Sequence, residues 1–182
     1  MTYNLNLKID DITDFSFNFS KWHKSDINEH IATMHKYANE CNHITEFGVR
    51  TGVSTWAWLA SRAKVIRCFD IENINQNLTF HYESAKETRK DFTFTCVSTI
   101  AEKLEIEQTD LLFIDTAHTY EQCSKELKMH SHKVNKYLMF HDTTLCVELN
   151  KAIEEFLKEN QNWKVKEIFT NNNGLTILEK IV

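Results

Sequence analysis

The chain of 182 residues has no proline and only three glycines. Without proline no ring can break a helix or preset a turn, so interruptions fall to Asn, Asp, Ser and the few glycines. Cysteine is sparse: Cys41, Cys68, Cys96, Cys123 and Cys146 are well spread and no CxxC pair occurs. This spacing points to buried reduced thiols of a cytoplasmic protein rather than disulfides or zinc ligands. No apolar run reaches membrane-spanning length, and Met1-Thr2-Tyr3-Asn4 lacks the charged-then-apolar pattern of a signal peptide. A membrane partner is therefore not expected. The net charge is -5 with both signs interleaved. No basic stripe offers an electrostatic grip on phosphates, which disfavours nucleic acid as a partner.

What is present is an ordinary globular composition, 42% hydrophobic and 26% charged, in a chain long enough for one sizeable core. The organising stretch runs from Ile44 to Glu72. Glu46-Phe47-Gly48-Val49-Arg50-Thr51-Gly52 reads as a strand ending in a glycine turn. A helix is expected from about Val53 to Arg62, with Trp56, Leu59 and Ala60 inward and Trp58 peripheral. A second strand, 64–69, ends at Asp70. This is half of a nucleotide-binding βαβ unit, in which an acid ending the second strand can bind both hydroxyls of a ribose.

Residues 1–26 read as an N-terminal arm. Phe15, Phe17 and Phe19 alternate, as in an edge strand or an arm packed on the body. A helix capped by Ser25 or Asp26 is expected through Ile27, Ile31, Met34, Tyr37, Ala38 and Cys41. His30 on it reads as a surface histidine. Further along, a helix is expected over 74–89, a strand over 92–97, and a short helix capped by Ser98-Thr99. Leu111 to Ile114 is the most apolar run, as suits a central parallel strand buried on both faces. The segment from Tyr120 to about His132 reads as a helix with His130 and His132 at a solvated end. A strand at Tyr137–Phe140, a helix over 148–158 and a hairpin turning at Asn173-Gly174 complete the chain. These steps predict a single α/β domain at 27–182. It is a Rossmann-like three-layer sandwich with a mostly parallel seven-stranded sheet and an antiparallel C-terminal hairpin strand.

Polar residues end every parallel strand: Glu46/Gly48, Asp70/Glu72, Ser98/Thr99, Asp115/His118 and His141/Asp142. In such a sheet ligands bind beyond the carboxyl ends of the strands. With these residues the chain resembles the class I S-adenosylmethionine-dependent methyltransferases. Its nearest likeness is to a small O-methyltransferase-like subgroup, through Ile114-Asp115-Thr116-Ala117-His118-Thr119-Tyr120-Glu121 with Glu126-Leu127, then Phe140-His141-Asp142-Thr143. Arg50 departs from the family, where a middle glycine is common, and Asn135-Lys136 replaces a glycine pair.

The resemblance implies a cofactor site of Glu46, Gly48, Gly52, Asp70, Ser98, Thr99 and Asp115. It implies a catalytic set of His118, Asp115 and Asp142, with His118 deprotonating a substrate hydroxyl. It also implies a divalent cation, Mg²⁺ or Mn²⁺, on Asp115, His141 and Asp142. The expected substrate is a small molecule such as a sugar or secondary metabolite, methylated on oxygen. A non-catalytic module that retains the fold to bind the cofactor or a partner is the competing reading. The sheet edge and the Phe15–Phe19 arm leave room for a homodimer.

Overall fold

The computed structural model describes residues 9–72, 93–98 and 104–181; of 9–12 and 93–98 it describes the backbone. The elements are α1 (Ile9–Trp22), α2 (Ile31–Ala38), β1 (His43–Phe47), α3 (Thr55–Leu59), β2 (Val65–Asp70), β3 (Thr93–Ser98) and β4 (Thr109–Ile114). They continue with α4 (Tyr120–His130), β5 (Val134–His141), α5 (Val147–Glu159), β6 (Trp163–Phe169) and β7 (Leu175–Lys180). A short 3₁₀ turn at Asn28–His30 leads into α2. The helices expected over 74–89 and after Thr99 lie outside the described residues. Among the described residues no helix is long and apolar enough to cross a membrane.

One sheet runs in the order β3-β2-β1-β4-β5-β7-β6. β3, β2, β1, β4 and β5 pair in parallel, and β7 runs antiparallel to both β5 and β6. Strand alternation sends Leu111 and Phe113 to one face with Ile44, Ile66 and Met139, against α2 and α3. Leu112 and Ile114 go to the other face with Phe47, Phe69, Leu138 and Phe140, against α4 and α5. Each such buried side chain contributes about 1.5–3 kcal/mol. The strand order reverses between β1 and β4, so the carboxyl ends of those two strands diverge at a natural crevice.

Several expectations are corrected. Residues 9–22 form helix rather than an edge strand. Phe15 and Phe19, four apart, stack on its exposed side with centroids 6.2 Å apart, while Phe17 packs against His35. Three alternating aromatics satisfy either geometry, and the helix places them on two faces. α3 is only five residues long. Ser61 Oγ donates to the Trp58 carbonyl and accepts from the Ala63 amide, which ends the helix. Trp58 is not peripheral but fully buried against Phe113, because α3 is covered by α1 and α2 as well as by the sheet. His30 is buried, its Nε2 donating to the carbonyls of Asn171 (3.0 Å) and Asn172 (3.2 Å). Burial pushes its pKa down. His130 is likewise buried, edge-on to Phe47 at 5.0 Å.

Candidate active site

The turn after β1 is shaped by three left-handed residues: Gly48 (φ 84°), Arg50 (φ 49°) and Gly52 (φ 76°). Gly48 is needed for close approach between strands. A Cβ there would lie 1.9 Å from the Asp115 carbonyl oxygen. Its amide donates to Phe69 O at 2.9 Å, and the Asp115 amide to Phe47 O at 2.9 Å, knitting the ends of β1, β2 and β4 together.

Asp70 holds the turn from the end of β2. Its Oδ2 accepts from the amides of Val49 (2.7 Å) and Arg50 (2.8 Å), and its Oδ1 from Glu72 N (2.8 Å). The Arg50 side chain turns outward, 79% exposed, and pairs with Asp26 at 3.0 Å.

Glu46 lies apart from the other residues expected around the cofactor. Its carboxylate is sealed beneath the turn and accepts from Ser54 Oγ (2.6 Å), Thr55 Oγ1 (2.8 Å) and Cys68 Sγ (2.9 Å). Burial raises its pKa, with those donors pulling the other way. Glu46 therefore ties β1 to the first turn of α3 and does not line the crevice. Ser54 and Thr55 were not singled out as its partners, although both follow Gly52 directly in sequence.

The crevice has a volume of about 410 Å³ and is lined by Gly48, Arg50, Asp70, Glu72 and Asp115, with Phe47 and Phe69 as apolar walls. This size suits a small organic ligand. Gln122 and Glu126 of α4 also reach it. Glu126, fully buried, accepts from Thr116 Oγ1 (2.9 Å) and Gln122 Nε2 (2.8 Å). Gly52 is buried behind the turn and is not part of the lining. Ser98 ends β3 beside Asp70 in register, and Thr99 lies outside the described residues. A second groove, about 330 Å³, lies between α1 and the turn, bordered by Phe15, Phe19, Thr51, Val53 and Trp56.

At one end of the crevice Asp115 meets His118 of its own loop and His141 and Asp142 from the end of β5. His118 Nε2 lies 3.1 Å from Asp115 Oδ1 and 2.9 Å from Asp142 Oδ2. His141 Nδ1 lies 3.4 Å from each of the same two oxygens. The other ring nitrogen of His141 faces the carbonyls of Asp26 (3.0 Å) and Asn172 (3.3 Å), so Nε2 carries a proton. The two carboxylates raise His118 to about 9. Burial opposes the charge on His141, yet the same carboxylates lift it to about 10. Burial likewise opposes charge on Asp142 and Asp115, and the imidazoles hold both below the usual carboxylate range.

Asp142 is itself in the left-handed region (φ 59°), a cost of roughly 1–2 kcal/mol that persists only where the surroundings enforce it. Its Oδ1 is buried and has no hydrogen-bond partner among the described residues. Asp115, His118 and Asp142 bring ligand atoms within 4.8 Å of one another, a set able to hold a metal ion. The α4 that follows is capped by Thr119, whose Oγ1 accepts from Gln122 N at 3.2 Å, which fixes the loop carrying His118.

No protein-family model matches the chain, and no curated protein sequence does. Solved structures do. A SAH-bound methyltransferase of Podospora anserina superposes with a TM-score of 0.60 at 16% identity, over 94% of this chain and 88% of that one. A Staphylococcus aureus protein assigned as a caffeoyl-CoA O-methyltransferase gives 0.61 at 13% identity, over 96% and 93%. Magnesium protoporphyrin IX methyltransferase of Synechocystis PCC 6803, with bound SAM, gives 0.61 at 14% identity, over 97% and 98%. At these identities the likeness is one of fold, and the chain has the fold of the S-adenosylmethionine-dependent methyltransferases.

Proposed function

We propose that the chain is an S-adenosylmethionine-dependent methyltransferase that methylates an oxygen of a small molecule, such as a sugar or a secondary metabolite. The observation that carries this reading is the double position of Asp115. One carboxylate both borders the crevice and belongs to the cluster with His118, His141 and Asp142. A ligand in the crevice would thus have its reactive end beside charged groups able to orient an acceptor.

The crevice residues fit the cofactor. Asp70 uses three of its roughly four lone-pair sites on backbone amides and keeps capacity for a ribose hydroxyl, with Glu72 beside it. When bound, the cofactor supplies a methyl carbon already made electrophilic by its sulfonium. The protein has to align an acceptor oxygen and loosen its proton. Asp115, His118 and Asp142 also fit a divalent cation, given their spacing and the buried, unpartnered Asp142 Oδ1. Such an ion would supply positive charge to an acceptor oxygen.

His118 is the histidine of the cluster that an acceptor can reach, its side chain 37% exposed against 1% for His141. At neutral pH it holds a proton between two carboxylates. It can accept another group's proton only after losing its own, in alkaline solution or when a cation takes over Asp115 and Asp142.

A second reading, a non-catalytic module, draws on the mutual neutralisation of the two carboxylates and two imidazoles. Calorimetric titration with S-adenosylmethionine and transfer of a labelled methyl group separate the two. The enzyme reading expects binding that is lost in Asp70→Ala and kept in His118→Ala, with transfer to hydroxylated acceptors slowed at least about 100-fold in His118→Ala. Binding with no transfer to any acceptor would favour the module, and no binding at millimolar cofactor would remove the enzyme reading.

A further inference from the structure

We infer that the acceptor is a hydroxy acid, a molecule bearing a carboxylate besides the hydroxyl to be methylated, and that Arg50 anchors this carboxylate in exchange for Asp26. The inference rests on the reading of the crevice as a methyltransferase site, and it goes further by naming the charge of the acceptor and the residue that selects it.

The described residues lining the crevice include one cation, Arg50, on a wall that also carries Asp70, Glu72 and Asp115. Those acids repel an anionic group along most of that wall, and opposite charge meets it at Arg50. An acceptor with one acid group therefore has one favourable place for it, which fixes its orientation.

The root of the Arg50 side chain is held firmly. Its amide donates to Asp70 Oδ2 at 2.8 Å, and its φ of 49° is a conformation that glycine would adopt without strain. The far end is held loosely. Among the described residues the guanidinium has one hydrogen-bond partner, Asp26 Oδ2, reached through Nη1 alone at 3.0 Å. Both side chains are exposed, 79% for Arg50 and 44% for Asp26. Arginine holds a carboxylate best through two parallel N–H···O bonds, and an exposed pair made through one nitrogen is weak. A ligand carboxylate that engages two nitrogens thus displaces Asp26. The present occupant is itself a carboxylate, which names the group the position takes.

The exchange needs no backbone movement. The segment carrying Asp26 is pinned from behind: the Asp26 carbonyl accepts from His141 Nε2 at 3.0 Å, and Ser25 O accepts from Asn172 Nδ2 at 2.9 Å. Asp26 gives way by turning its side chain. The same histidine reaches Asp115 and Asp142 through Nδ1, at 3.4 Å each, so the Arg50–Asp26 pair stands next to the reactive cluster. A small acceptor held at Arg50 has that cluster within its span, and its hydroxyl is directed toward His118.

The test measures transfer of a labelled methyl group from S-adenosylmethionine to two matched pairs: glucuronate with glucuronamide, and 3,4-dihydroxybenzoate with its amide. The full chain, Arg50→Gly and Asp26→Asn are compared, and cofactor affinity is measured by calorimetry in each. At least one acid should exceed its amide in kcat/KM about tenfold or more. In Arg50→Gly the KM of that acid should rise until acid and amide differ by less than about twofold. In the same variant S-adenosylmethionine affinity should fall by less than about threefold, because the guanidinium points out of the turn. Asp26→Asn frees the guanidinium and should lower the KM of the acid about two- to fivefold. Denaturant unfolding verifies that Arg50→Gly keeps the fold. No acid used better than its amide, or a preference that survives in Arg50→Gly, would overturn the inference and leave the methyltransferase reading standing. So would a tenfold or greater loss of S-adenosylmethionine affinity in Arg50→Gly that is absent with the decarboxylated cofactor, which would assign Arg50 to the cofactor's own carboxylate. No cofactor binding in any of the three chains would remove the reading and the inference together.

Discussion

Asp70 Oδ2 lies 2.8 Å from the backbone amide of Arg50, a residue held in the left-handed region at φ 49°. The acid ending β2 thus fixes the turn ending β1, and the crevice takes its shape from that clamp. Removing the carboxylate should cost stability as well as binding. Asp70→Ala leaves the amides of Val49 and Arg50 without their acceptor, and a loss of about 2–4 kcal/mol is expected in denaturant unfolding. Asp70→Asn, which keeps an acceptor oxygen, should lose less than half as much.

Arg50 pays a conformational cost that a glycine would not. Its exposed pair with Asp26 returns at most about 1 kcal/mol. Arg50→Gly should therefore leave the unfolding free energy unchanged within about 1 kcal/mol, or raise it. By contrast Gly48→Ala drives a Cβ into the Asp115 backbone at positive φ and should cost more than about 3 kcal/mol.

Glu46 predicts a distinct pH signature. Its pKa is raised in the fold by burial, so the unfolded chain releases this proton first. The folded state then loses relative stability as pH climbs from the unfolded value, about 4.3, toward the raised one. Glu46→Gln removes that proton equilibrium. The difference in unfolding free energy between the wild-type chain and the variant should shift in the variant's favour between pH 4 and neutrality.

The histidine–aspartate cluster titrates in both senses, its histidines like Glu46 and its aspartates oppositely. For His118 and His141, raised to about 9 and about 10, the stabilisation is complete below their ordinary value of 6.5. It fades as pH rises from there through 9 to 10. For Asp115 and Asp142, held low, the stabilisation is complete above about 4 and fades in more acid solution. The metal-free cluster should therefore contribute most between about pH 4 and 6.5. Unfolding measured across pH 4 to 10 should show a decline above 6.5 that is much reduced in Asp142→Asn.

The parallel core strands were legible because runs such as Leu111–Ile114 are apolar on both faces, which few other settings tolerate. The cluster was legible because Asp115, His118, His141 and Asp142 each end or follow a strand, and parallel strands share one rim. What was hidden depends on distant packing. Trp58 reads as peripheral by helical spacing, yet α3 is covered on more than one side. His30 reads as a surface residue because its carbonyl partners, on Asn171 and Asn172, lie 141 and 142 residues away. Glu46 reads as a ligand-facing acid, but the hydroxyls of the next helix claim it. Local patterns locate strand ends, whereas the direction of a side chain at those ends is set by neighbours that the pattern does not contain.

The central claim is that the crevice between β1, β2 and β4 binds S-adenosylmethionine. Amide NMR during titration with the cofactor tests it residue by residue. The expected result is saturable change at Gly48, Arg50, Asp70, Ile71, Glu72 and Asp115–Ala117, the rim of that crevice. No change at millimolar cofactor, or change confined to the groove of Phe15, Phe19 and Trp56, would contradict it.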